Sequence, residues 1–162
     1  MTIAKAILAA SLTVAALGFA GAAQAQPARA PVKCDIRPLM GNAPPPQGPA
    51  LIAATPGTAV PMPLNTVNII SKSIRNKVVV QGVSATRTET GTVSVTVQLL
   101  NCTDYPLQVQ SRAQFFGAGN VMNEQPSAWK RSFLPPRSVT GFNTSSLGAK
   151  SESFLVEVQE GV

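Results

Sequence analysis

The groups able to do chemistry in this sequence are two cysteines, Cys34 and Cys102, seven carboxylates, and one aromatic and basic run, Trp129-Lys130-Arg131-Ser132-Phe133. Histidine is absent. The usual general base near neutral pH and the commonest metal ligand are therefore missing, and Ser-His-Asp or Cys-His arrangements are excluded. The carboxylates Asp35, Glu89, Asp104, Glu124, Glu152, Glu157 and Glu160 are dispersed, and match neither a calcium loop nor a closely spaced acid pair. The chain reads as non-enzymatic, with no catalytic, cofactor or metal site.

The cysteines depend on compartment. Lys5, the apolar run from Ala6 to Ala20 and the exit Ala23-Gln24-Ala25 form a secretory signal peptide over residues 1–25. The run is shorter than the roughly 20 residues of a spanning helix, so a mature chain beginning near Gln26 is expected in the periplasm. An oxidising compartment opens a disulfide to Cys34 and Cys102, and geometry decides whether it forms. Lipid attachment at Cys34 is disfavoured, because Pro31-Val32-Lys33 precedes it where a small residue is required.

The basic excess, a net charge of +6 for the whole chain, is spread along the sequence rather than clustered. A nucleic-acid patch is not indicated, and no later segment reaches membrane-spanning length. The aromatic and basic run has two readings. Trp129 and Phe133 either plug one end of a domain or anchor a partner, since exposed aromatics dominate interface energetics. Lys130 and Arg131 are either solvated or contact an anionic glycan or lipid head group. Asn101-Cys102-Thr103 fits a glycosylation sequon and is read as turn chemistry.

These residues need elements to position them. Ten of the fourteen prolines fall between Gln26 and Leu64, a composition that excludes helix and central strand and defines an extended arm over residues 26–64. Leu51, Ile52, Met62 and Leu64 make the arm too apolar for a solvated linker, so it is expected to lie against a surface. From Thr66 the pattern changes to period two, the mark of half-buried strands. Val93, Val95, Val97 and Leu99 alternate with polar residues; after Asn101 to Pro106 the alternation resumes at Leu107, Val109, Ser111, Ala113 and Phe115. These two runs are expected to form an antiparallel hairpin. Further strands are expected at Val67 to Ser71, Val78 to Arg87, Val139 to Ser145 and Ser153 to Gln159, with a bulge at Gly82 and a turn over Gly117 to Asn120. No stretch has helical periodicity. The expected fold is an all-β, antiparallel, immunoglobulin-like β-sandwich over residues 65–162, preceded by the extended proline-rich arm.

The order of Leu99 to Leu107, Arg112, Phe115-Phe116, the glycine turn, Trp129 to Pro136, and Leu147 to Lys150 before Phe154-Leu155-Val156 resembles the YcfL-like family of small bacterial envelope proteins. The resemblance spans about residues 67–159. It implies an envelope-located β-sandwich, and it carries no catalytic residues over. Family members are commonly lipoproteins, whereas this chain lacks a lipidation motif.

The combined expectation is an exported structural or accessory subunit of a Gram-negative envelope assembly, such as a secretion, pilus or cell-wall machine. It would bind protein subunits, its own copies among them, through Leu51, Ile52, Met62, Leu64, Trp129, Lys130, Arg131 and Phe133. Peripheral outer-membrane or cell-wall association would then rest on protein contacts. The alternative is a periplasmic ligand-binding module for peptidoglycan, glycan or anionic lipid, centred on Trp129.

Overall fold

β-Branched and aromatic residues at every second position make strands that bury one face, and the chain packs such strands into a sandwich. The computed structural model describes residues 34, 50–52 and 55–161. The expected signal peptide and the rest of the arm lie outside them. Among the described residues there are nine strands: β1 (Ala50–Leu51), β2 (Ala59–Pro61), β3 (Val67–Ile69), β4 (Val78–Arg87), β5 (Val93–Asn101), β6 (Leu107–Phe116), β7 (Lys130–Leu134), β8 (Val139–Ser145) and β9 (Ser153–Glu160).

One sheet has the order β1-β9-β6-β7, with β3 added parallel to β9, and the other has the order β2-β4-β5-β8. Every other pairing between these strands is antiparallel. The described residues belong to one compact unit, Lys33–Val162. Its core is formed by Val95, Val97 and Leu99 of β5, Val109, Ala113 and Phe115 of β6, and Phe154, Val156 and Val158 of β9, all fully or nearly fully buried. Each such large side chain contributes roughly 1.5–3 kcal/mol by leaving water.

The expected hairpin of the two long alternating runs does not form. β5 pairs with β4 and β8, whereas β6 pairs with β7 and β9, so the Asn101 to Leu107 connection is an arch between sheets. Two strands facing each other across a core alternate just as two neighbours in one sheet do. The arch is fixed by Asn101, which is fully buried. Its Nδ2 donates to the carbonyls of Tyr105 at 2.8 Å, Leu134 at 3.1 Å and Pro135 at 3.1 Å, and its Oδ1 accepts from Thr103 N–H at 2.9 Å and Thr103 Oγ1 at 2.7 Å. The sequon is thus turn chemistry, with the asparagine amide sealed from modification.

The proline-rich arm enters the sheets before Thr66. β1 lies on the start of β9, β2 is an edge strand on β4, and Met62 is buried in the core. Pro61 is tolerated because a short edge strand has a side that bonds nothing. The expected bulge is present, as a register shift between Val80 and Gly82 where β4 meets β5. A single helical turn, Lys72–Arg75, and two short 3-10 turns also occur. One turn is too brief to show a period.

Candidate functional site

The Trp129-to-Phe133 run is not a plug. Lys130–Leu134 is strand β7, the edge of its sheet, paired only with β6 among the described strands. The register sets Gln108 opposite Phe133, Gln110 opposite Arg131, and Ser111 opposite Lys130. Cross-strand partners share a face, and Ser111 points into the core with full burial. Phe133 and Arg131 therefore point outward, and Leu134, fully buried, points in. Phe133 is 56% exposed. Lys130 lies on the inward side of an edge strand yet stays exposed, a charge placed where it discourages edge pairing.

Trp129, half-buried, continues this outer face. The Arg112 guanidinium lies 4.5 Å from the centre of its ring, and Arg112 Nε donates to Glu157 Oε2 at 2.6 Å. Strands β6 and β9 place Arg112 directly opposite Glu157, so tryptophan, arginine and glutamate form a ladder across the sheet. Beside it, Gln159 Nε2 donates to Gln110 Oε1 at 3.1 Å. The result is a flat polar face with its indole held by a cation–π contact and one exposed aromatic, Phe133, near the Leu107 end.

Residues expected to act together are separated. Met62 is buried in the core, and Ile52, half-buried, packs against that core. Leu64 is 49% exposed in a 3-10 turn. The backbone of Leu51 pairs with Ser153, and its side chain lies outside the described residues. Trp129, Arg131 and Phe133 share the outer sheet face, with Lys130 at its border. Sequence reading missed Gln108, Gln110 and Arg112 as parts of this face, although they are the polar half of the β6 alternation.

Cys34 and Cys102 form a disulfide, with Cα atoms 5.6 Å apart, which ties the arm to the arch after β5. Several carboxylates have structural partners. Glu124 Oε2 accepts the backbone N–H groups of Leu147 and Gly148 at 2.9 and 3.1 Å, and Asp104 takes a two-point contact from Arg137 at 2.8 and 3.2 Å. That hydrogen bonding and the arginine charge hold the Asp104 carboxyl below its usual range and raise Arg137. No group of three potential metal ligands occurs among the described residues. At the opposite end of the sandwich Gly117, Ala118, Val121, Met122, Asn123, Lys150 and Glu152 line a shallow open depression.

No family model and no curated protein sequence matches the chain. Two solved structures are similar to it. One is the crystal structure of Campylobacter jejuni cj0090, with 11% identity and a TM-score of 0.47, covering 59% of this chain and 98% of that one. The other is a DUF1425 family member from Shewanella sp. pv-4, with 15% identity and a TM-score of 0.48, covering 71% of this chain and 98% of that one.

Proposed function

We propose that the chain is an exported, non-catalytic interaction protein of the cell envelope, YcfL-like in character, that acts as a structural or accessory subunit by seating a protein partner on the outer face around Phe133. The observation that carries this reading is a large aromatic, 56% exposed, directed outward by the register of an edge strand. An exposed phenylalanine flanked by glutamine amides and Arg131 has the composition of an interface anchor with a polar rim. Export is supported by the Cys34–Cys102 disulfide, which an oxidising compartment favours, and by the leader-like sequence of residues 1–25. The absence of catalysis is supported by histidine-free composition and by Glu124, Asp104 and Glu157 being held by backbone amides or arginines.

Strands β1 and β2 pair within the chain's own sheets and Met62 is in its core, which supports a partner surface on the sandwich rather than on the arm. The test uses the full-length chain, tagged at its C-terminus and expressed in its own cells, with cross-linking and identification of co-purifying subunits. Phe133→Asp should abolish the capture of a specific envelope subunit. Leu147→Asp should not, because Leu147 is 87% exposed at the other end of the sandwich. Equal capture by the Phe133 variant would overturn the proposal, and Phe133-dependent retention of the purified protein on cell-wall sacculi would replace it with the ligand-binding alternative.

A further inference from the structure

Four of the five edge strands of this sandwich, among the described residues, are short or guarded against strand addition. β2 has three residues and ends in Pro61, β1 has two residues, β3 has three, and β7 carries Lys130 and Arg131. The remaining edge is β8. It runs for seven residues, Val-Thr-Gly-Phe-Asn-Thr-Ser, without a charge or a proline, and its pairing with β5 continues from Ser145 to Val139 without a register break. Length, neutrality and regularity are the properties that natural edge strands avoid unless they are used.

The hydrogen-bond phase of that edge is fixed by its two ends. Asn101 N–H donates to the Ser138 carbonyl at 3.0 Å, and Ser146 N–H donates to the Val93 carbonyl at 2.8 Å. In an antiparallel ladder bonded and non-bonded pairs alternate, so Thr140, Phe142 and Thr144 bond to β5. Val139, Gly141, Asn143 and Ser145 therefore direct their N–H and C=O groups away from the sheet. Among the described residues no strand receives them: β5 is the one sheet partner of β8. All four residues are exposed.

We infer that β8 is a self-association edge, joining two copies of this chain antiparallel across a two-fold axis centred at Phe142. The phase makes this registration self-complementary. Gly141 bonds Asn143 of the second copy and Val139 bonds Ser145 of the second copy, each pair exchanging two hydrogen bonds, and the same pairs recur on the other side of the axis, as an isologous contact requires. Thr140 then faces Thr144 of the second copy, a favourable cross-strand pair. Charge selects a second copy over other surfaces of the same molecule. Two copies of a basic chain repel broadly, and β8 is the long edge that brings no like charges into opposition. Phe133 lies on the other sheet with its side chain directed outward, and its backbone carbonyl accepts from Thr140 Oγ1 of β8 at 3.4 Å, a contact that neither β8 variant below replaces.

The experiment is sedimentation of the oxidised mature chain over a range of concentrations, with amide hydrogen exchange on the same samples. Wild type should sediment as a dimer, with Val139, Gly141, Asn143 and Ser145 amides protected as well as those of Thr140, Phe142 and Thr144. Gly141→Pro removes one outward N–H and no bond to β5, and a Cβ there meets nothing within 4 Å. Asn143→Lys places a cation beside the axis. Both variants should sediment as monomers and lose protection at the outward amides alone, whereas Leu147→Lys should stay dimeric. A wild-type chain monomeric at every concentration would overturn the inference, whether its outward amides exchange freely or are covered by another segment of the same chain. A dimer that survives both β8 variants would overturn it as well. If either variant fails to fold, the alternating wild-type exchange pattern and its concentration dependence still decide.

Discussion

Replacing Asn101 with alanine tests the arch between the two sheets. The side chain is fully buried and makes five hydrogen bonds to Thr103, Tyr105, Leu134 and Pro135. A net bond is worth roughly 0.5–1.5 kcal/mol, and a buried carbonyl left without a donor costs roughly 1–3 kcal/mol. The Nδ2 group has only two hydrogens to share among three carbonyls, and Tyr105 and Pro135 are exposed enough to recruit water. The Leu134 carbonyl is the buried one, which brings the expected loss to about 3 kcal/mol against a total stability on the order of 5–15 kcal/mol. Equilibrium urea unfolding of the oxidised protein, with wild type and variant fitted to a common slope, reads this directly. Asn101→Asp adds a sign. A carboxylate facing three carbonyls has its folded-state pKa raised above the unfolded value of about 3.9, so the variant is least impaired below that value and loses stability as pH rises through the raised pKa. A loss below about 1 kcal/mol for the alanine variant, or an aspartate variant that gains stability toward neutral pH, would refute this account of the arch.

Three further outcomes follow from the same structure. Removing the disulfide by a Cys102→Ser and Cys34→Ser double substitution frees a loop with a sequence separation of 68; the chain-entropy relation gives a loss of about 4 kcal/mol, read as a drop in urea midpoint. Ser111 is fully buried with its Oγ unpartnered, so Ser111→Ala should raise stability by about 1 kcal/mol, and a loss of similar size would reveal a hydrogen bond not seen here. Asp104 has its folded pKa depressed chiefly by the Arg137 hydrogen bond and charge, so its contribution is present above the unfolded carboxyl pKa and lost as pH falls through the folded one; because the pair is solvent-exposed, Arg137→Ala should move the Asp104 carboxyl NMR titration upward while leaving the unfolding midpoint nearly unchanged.

The strands legible in the sequence were long runs rich in β-branched residues and bounded by turns. β4 and β8 begin and end where alternation does, at Val78 and Arg87 and at Val139 and Ser145. Alternation specifies which side chains face a core but not which sheet a strand joins, and for that reason β5 and β6 read as a hairpin when they are partners across the core. β7 was illegible for a different reason: of its five residues only Leu134 is buried, and a single inward residue has no period. β1 and β2 were hidden by prolines that a short edge tolerates.

The candidate surface inherits both difficulties, because whether Phe133 points outward depends on register rather than on composition. A one-residue slip of β7 would bury Phe133 and expose Leu134. The slip is opposed at the strand's end, where Asn101 of β5 donates to the carbonyls of both Leu134 and Pro135, so a buried amide in one sheet holds the exposed aromatic of the other in place. Asn101→Ala should then weaken partner capture beyond what its loss of stability explains. Capture per folded molecule, measured well below the variant's unfolding midpoint, separates the two effects. Undiminished capture there would mean that pairing with β6 alone sets the register of β7.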